Sequence, residues 1–419
     1  MIELVLAAAI ACAPDDGPDA LAEVQTLPVS ATVVANAPDG MSALHRDAIA
    51  RGVEVLLAMQ EGTEFDGAPS EWPYQGVYRV AGQIPIGYRV GGTGICGEAL
   101  LRSPGFANDE RRKAAVDRAL RFICSTVDDP LMDPDYRGGY DVRGWGFCYG
   151  LRLLLAAREL DIVSESMTEQ VDGVIESWTA AIQQIEIPEV GGWTYSRRGI
   201  DEPCNMSPFM TAPCLQTLFE AALQGETVDR AVVGRGLAAL ERARSASGNV
   251  VYSSKGQSTA DAKTIPGAMG RMTALEAVLA RSDRSTPKRL AFAVDAFIEH
   301  WNELEKRRRK NGTHKAPYGV APYYFFYAHR AAADALQMLP GDEQEQRRNR
   351  INDLLFSVRE DDGRWNDRVF DRSANYGTAM SMLSLLQPFV REPAGMPTAA
   401  VETPPHEPSP AAVTPPADR

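Results

Sequence analysis

The feature of this sequence that most restricts its fold is a unit that recurs along the chain: a polar helix, a loop with Gly and an aromatic residue, then an apolar helix rich in small residues. Its clearest copy is DDGRWNDRVFDRSANYGTAMSMLSLLQ, from Asp361 to Gln387. Gly363 and Trp365 make a tight turn with an aromatic anchor, a polar loop follows, and an Ala/Met/Leu helix begins near Tyr376. Roughly six units of about 50 to 65 residues fit between Met41 and Val390, the range expected of helix-pair repeats.

Reading the units in order, HRDAIARGVEVLLAMQ leads past Gly67 and Trp72 to YRVGGTGICGEALL, and RRKAAVDRALRFIC leads through RGGYDVRGWG to FCYGLRLLLAARE. MTEQVDGVIESWTAAIQQI joins TAPCLQTLFEAAL across GGWTYSRRG, and VVGRGLAALERA joins MGRMTALEAVLA across SGNVVYSSKG. RLAFAVDAFIEHWNEL reaches YYFFYAHRAAADAL through a basic loop and APYG, and EQRRNRINDLLFSV enters the stretch at Asp361. First helices carry Arg, Asp and Glu on one face, as surface helices do. Second helices carry Gly, Ala, Cys, Thr and Leu nearly all round, as helices covered on both sides do. Each pair buries its apolar face only against its neighbours. A closed ring, with apolar helices inside and charged ones outside, leaves no end to be capped, so one domain over residues 41–390 is expected.

Charge narrows the partners. Lys+Arg 43 against Asp+Glu 56 gives −13, a field that attracts neither nucleic acid nor an anionic membrane. The run LVLAAAIACA, Leu4 to Ala13, has the form of a secretory h-region, although Met1-Ile2-Glu3 supplies no basic start and the run is too short to span a bilayer. AIAC ending at Cys12 resembles a lipoprotein box. Residues 1–13 are therefore expected to be a signal or lipoprotein segment, placing the protein in the cell envelope or periplasm, lipid-anchored at Cys12 in one version; a cytoplasmic chain is the alternative. Residues 14–40 read as a linker, and 391–419, dominated by Pro, Ala, Thr and Glu, as a disordered tail. No transmembrane helix is expected in the mature chain, which is expected to be a monomer.

The loops GGWTYS (Gly191 to Ser196) and DDGRW (Asp361 to Trp365), each followed by a helix of the type YGTAMSMLSLL, resemble the repeats of the terpenoid cyclase and protein prenyltransferase superfamily, including the squalene cyclase-like repeat. The resemblance implies an all-α (α/α)6 toroid whose loops surround the mouth of a central cavity. Neither of the superfamily's chemistries carries over. There is no DxDD proton-donor segment; VDDPLMDPD, Val127 to Asp135, holds acids at another spacing. There is no Asp-x-Cys zinc pair, and where the resemblance implies a His-bearing inner helix the chain has Asn375-Tyr376-Gly377. The five His residues (His45, His300, His314, His329, His406) show no metal-ligand spacing, and no cofactor is expected.

Three groups of side chains remain as candidates. Cys96, Cys148 and Cys214 hold similar places near the starts of successive inner helices; three thiolates suit a soft metal, but small apolar packing is the preferred reading, and no metal is expected. Arg and Asp cluster before inner helices: Asp141 and Arg143; Arg197, Arg198 and Asp201; Asp367, Arg368, Asp371 and Arg372. They form a polar collar if the ring closes, either salt-bridged among themselves or gripping a phosphate or carboxylate. Aromatic residues, including Trp145, Tyr195, Tyr324 and Tyr327, concentrate at the same level; Trp193 and Trp365 read as loop anchors, and some of the YYFFY run must face the lumen. The basic run Lys306 to Lys315 reads as a solvated loop, and GGTG at Gly91 to Gly94 as close helix packing.

The sequence thus predicts a prenyltransferase- or squalene cyclase-like repeat protein binding an apolar or isoprenoid-like molecule in a central cavity, with catalysis not established. The alternatives are a non-catalytic envelope scaffold that binds a protein, and an (α/α)6 carbohydrate hydrolase or lyase needing two facing carboxylates, for which Asp141 and Asp201 with Tyr195 are the candidates.

Overall fold

The structure is a computed structural model that describes residues 29–63, 68–138, 142–195, 197 and 199–396. The expected signal segment with Cys12, Tyr140, Asp141, Arg198 and the chain past 396 lie outside the described residues. Among the described residues the fold is helical, with β-pairing confined to isolated bridges such as Glu61 with Glu71 and Met206 with Ser254.

After a short α1 (Ala31–Ala35), within the stretch expected as linker, come α2 (Ala43–Ala58), α3 (Ile86–Arg102), α4 (Glu110–Ser125), α5 (Arg143–Glu159), α6 (Thr168–Gln184) and α7 (Pro208–Leu223). They are followed by α8 (Arg230–Ala243), α9 (Met269–Ala280), α10 (Pro287–Glu305), α11 (Tyr324–Leu336), α12 (Gly341–Phe356) and α13 (Ala374–Leu386). The odd-numbered helices from α3 to α13 pack each against the next, and α13 returns to pack on α3. The even-numbered helices from α2 to α12 lie outside them. This is a closed (α/α)6 toroid, as the alternation of charged and apolar helices predicts.

The two rings differ in burial as their sequences do. Every residue of α13 is buried, and the hydroxyls this leaves inside donate back to the helix, Ser381 Oγ to the Gly377 carbonyl and Ser384 Oγ to that of Met380, each at 2.8 Å. In α12, by contrast, Ile351, Leu354 and Leu355 alone are buried. Glycines let the inner helices approach closely. A Cβ on Gly94 of α3 would lie 2.2 Å from the Tyr149 carbonyl oxygen of α5, and one on Gly91 would lie 2.3 Å from the Trp145 ring. The GGTG run is therefore a packing surface, as expected.

Three loops are pinned to the rings in the same way. Trp72, Trp193 and Trp365 are fully buried, and their indole N–H groups donate to the carbonyls of Leu56, Ile182 and Leu355 near the ends of outer helices, at 2.7, 2.7 and 2.9 Å. Their backbone N–H groups donate to the hydroxyls of Thr93, Thr211 and Thr378 on the inner helices, at 2.9, 3.0 and 3.1 Å. The anchor reading of Trp193 and Trp365 is what the structure shows. The turns before two of these residues run through Gly191, Gly192 and Gly363 at φ of 74°, 79° and 92°, the left-handed region that disfavours any side chain.

First and last units meet at a polar seam: Arg359 pairs with Asp47 at 3.0 Å, Arg372 Nε with Glu61 at 2.7 Å, and Asn375 Nδ2 donates to the Pro73 carbonyl at 3.1 Å. No helix among the described residues is long and apolar enough to cross a membrane.

Candidate functional site at the mouth of the ring

The loops that lead into the inner helices surround one end of the ring. There Asp367 and Arg368, both fully buried, follow the Trp365 anchor and are fixed by the first unit and by the basic loop. The Tyr74 hydroxyl donates to Asp367 Oδ2 at 2.8 Å, and the Arg309 N–H donates to the Asp367 carbonyl at 2.8 Å. Arg368 Nε donates to Tyr74 Oη at 3.0 Å and Nη1 to the Gly312 carbonyl at 2.9 Å. Asp367 Oδ1 and Arg368 Nη2 are buried with no hydrogen-bond partner. Burial pushes the Asp367 carboxyl up to about 6, against the pull of Arg368 and the Tyr74 hydrogen bond. This is a group that ionises near neutrality inside the protein.

The basic run Lys306 to Lys315 is a correction to the solvated-loop reading. Its outer part is solvated, with Lys306 paired to Glu303 at 2.6 Å, but its inner side walls the mouth. It supplies the Gly312 carbonyl to Arg368 and carries His314, whose Nε2 lies 2.6 Å from Tyr324 Oη and 3.2 Å from Tyr323 Oη. Burial, reinforced by Arg271 and Arg368, pushes the His314 pKa below its usual value and so favours the neutral ring. Tyr252 Oη is 3.3 Å from Tyr323 Oη, and Tyr195 meets the Tyr323 ring edge-on at 6.4 Å. The Arg368 guanidinium lies 5.4 Å from the centre of the Tyr323 ring, and that of Arg271 lies 5.8 Å from the centre of Phe209. Arg271 is held by the carbonyls of Val250 at 2.8 Å and Gly267 at 2.5 Å.

Below this collar the axis is filled by aromatic rings. Tyr74 contacts Tyr376 at 4.5 Å and Tyr88 at 5.3 Å between centroids, Trp145 touches Tyr88 at 5.5 Å, and Tyr149 continues the column at 5.1 Å from Trp145. The YYFFY run divides as a helix must: Tyr324 stacks on Phe209 at 4.3 Å, Tyr327 reaches the axis, and Phe325 turns outward onto Trp301 at 5.7 Å.

Of the residues singled out in the sequence, the ring brings Tyr195, Tyr324, Asp367 and Arg368 together. Arg197 is buried but serves its own loop, donating to the carbonyls of Glu202 at 2.8 Å and Glu186 at 2.6 Å. Arg143 donates to the Arg197 carbonyl and lies 5.4 Å from the Tyr136 ring. Asp201 stands at the surface beside Arg137 at 2.9 Å, and Asp371 is half exposed, 3.7 Å from Arg364. Cys148 lies 3.2 Å from the Thr217 hydroxyl; Cys96 and Cys214 are buried, and all five described cysteines are free. Among the described residues no group of three His, Cys, Asp or Glu side chains is placed to hold a metal ion. Sequence reasoning missed Tyr74, Arg271, Tyr252 and His314. Only His314 had a signal, a titratable residue in a loop entering an inner helix.

Neither a family model nor a curated protein matches this chain. Among solved structures it is similar to the type II terpene cyclase MstE from Scytonema, at 13% identity over 82% of this chain and 99% of that one, with a TM-score of 0.49. It is also similar to the GH76A alpha-1,6-mannanase of Salegentibacter sp. HEL1_6, at 10% identity over 81% and 98%, TM-score 0.48. An alpha-amylase from Clostridium perfringens matches at 11% identity over 78% and 94%, TM-score 0.47. Likeness at this level carries no activity with it; what makes this chain an α/α toroid is its own double ring of helices, closed by α13 against α3.

Proposed function

We propose that the protein binds an apolar, isoprenoid-like molecule with an acidic head at the mouth of the ring. The observation that carries the reading is the pair of buried guanidiniums, Arg368 and Arg271, gathered from different units around His314 and a set of tyrosine hydroxyls, with Arg368 Nη2 left without a partner. A buried cation with a spare N–H favours a phosphate or carboxylate, and the rings of Tyr74, Tyr88, Trp145 and Tyr376 below it offer an apolar surface for the body of the ligand. The rings fill the axis, so the ligand sits at the mouth and displaces side chains to go deeper. The hydrolase alternative needs two facing carboxylates. Of its candidates Asp201 is on the surface, paired with Arg137, and Asp141 lies outside the described residues.

Isothermal titration of the full chain with farnesyl diphosphate, farnesol and inorganic pyrophosphate tests this. The diphosphate ester is expected to bind more tightly than either fragment, and Arg368→Met to weaken it about 10- to 100-fold, the worth of one or two charge-assisted hydrogen bonds. Absence of binding by all three, or equal affinity in Arg368→Met, overturns the reading and favours a scaffold whose mouth is merely packed.

A further inference from the structure

The opposite end of the ring, where the inner helices stop, holds a second concentration of charge that the mouth does not involve. Glu98, Arg152, Gln216, Arg330 and Asp334, from α3, α5, α7 and α11, with Arg281 just past the end of α9, line a cavity of about 60 Å³. The segment after α13 crosses this end. Pro393 lies over the cavity, Arg391 reaches Glu159 at 2.6 Å and Glu220 at 2.7 Å, the Ala394 N–H donates to Glu220 at 2.7 Å, and Gln216 Nε2 donates to the Ala394 carbonyl at 2.8 Å.

Inside, the charges do not balance. Glu98 accepts from Arg152 at 3.2 Å and from Arg102 at 2.9 Å, and Asp334 takes Arg281 through both Nη atoms at 2.9 and 2.6 Å. Burial works against the Glu98 charge, but Arg152 and Arg102 hold its carboxyl down to about 2, so it is ionised. Arg330 is the odd member. It takes part in no ion pair among the described residues, and its Nη1 is buried without a hydrogen-bond partner, as is Arg281 Nε. Burial lowers the Arg330 pKa to about 10, which leaves it protonated at pH 7. The nearby carboxylates Glu159 and Glu220 are engaged by the crossing segment. Three guanidiniums therefore face two carboxylates around the cavity; Glu98 and Asp334 act on Arg330 only at a distance, and a guanidinium held there without a direct ion pair is costly.

We propose that this cavity is a binding site for a small inorganic anion, held by Arg330 Nη1 with Arg281 Nε and bordered on one side by Pro393. A space of about 60 Å³ suits a halide with a water molecule, or one phosphate-sized oxyanion. The site is independent of the reading of the mouth: none of its charged residues is shared with it, although Tyr149 and Tyr327 at the foot of the aromatic column also line this cavity.

The test is thermal unfolding of the full chain at fixed ionic strength, with gluconate replaced stepwise by chloride or by inorganic phosphate. One of the two is expected to raise Tm by a few degrees along a saturating curve, as ligand linkage requires. Arg330→Met is expected to lose that response and to melt higher than the natural protein in gluconate alone. Crystals soaked in bromide, where chloride gives the response, or in arsenate, where phosphate does, are expected to show an anomalous peak within hydrogen-bond reach of Arg330 Nη1. Equal Tm in all three salts, an Arg330→Met protein that responds as the natural one does, or an anomalous map empty at this position for the mimic of the responding ion would each overturn the site. Should the Met variant not fold, Arg330→Lys and the anomalous map of the matching ion decide.

Discussion

Asp367 is the residue on which the mouth turns, because its ionisation and its position are set by different parts of the chain. Burial raises its pKa to about 6, while Tyr74 from the first unit fixes one oxygen. An acid whose pKa is raised on folding stabilises the fold below its unfolded value, near pH 4, and that contribution is lost as pH rises through about 6. The size is on the order of 3 kcal/mol. Asp367→Asn keeps an acceptor for the Tyr74 hydroxyl and removes the buried charge. It is expected to match the natural protein in Tm at pH 4 and to melt several degrees higher at pH 8, measured by circular dichroism; a variant less stable at pH 8 would show that Arg368 depends on the ionised carboxylate. Asp201 and Asp371 looked equivalent to Asp367 in the sequence. Being an acid in a loop before an inner helix does not say whether the side chain turns toward the axis or the solvent.

At the scale of elements, glycine has opposite meanings in the two rings. In α3 the Gly94 position abuts the Tyr149 backbone, whereas a Cβ on Gly234 of the outer helix α8 meets nothing within 4 Å. Gly94→Ala is expected to force α3 and α5 apart at a cost of about 3 kcal/mol or more. Gly234→Ala is expected to add about 0.5–1 kcal/mol by restricting the unfolded chain and raising helix propensity. Urea denaturation of the two variants checks both signs. The Trp anchors belong to this scale too. An indole that ties a loop to the outer helix and a Thr that holds its backbone from the inner helix make each copy a rigid hairpin, and they recur in the first, third and sixth units. In the second unit Trp145 sits within α5 and fills the axis instead. The repeat was legible in sequence because it satisfies a local need, pinning a loop between two helices. The unit that breaks the pattern was not, because its Trp answers to the opposite wall of the ring.

For the whole molecule the decisive contact is the seam. An open stack of helix pairs frays from its ends, but here α13 packs on α2 and α3, and Asp47, Glu61 and Tyr74 meet Arg359, Arg372 and Asp367. The first and last units are therefore expected to unfold with the rest. Amide hydrogen exchange should show α2 and α13 protected to the same limit as α7, and Trp365→Ala should lower one cooperative transition, by about 3–5 kcal/mol, without splitting it. Early exchange confined to α2 or α13 would mean that the seam does not hold the ring closed.

By itself the sequence determined the number of helix pairs, which helix of each pair is covered on both faces, and the aromatic anchors, since periodicity and small-residue content act over distances of one or two turns. Tertiary structure alone decided which charged residues are buried together. Tyr74 and Asp367 lie 293 residues apart, and their hydrogen bond exists only because the ring closes. Arg330 likewise looks like any helical arginine until five inner helices and residues 390–396 converge on it. A charge acquires its chemistry from what surrounds it in space, and a one-dimensional pattern carries no record of that.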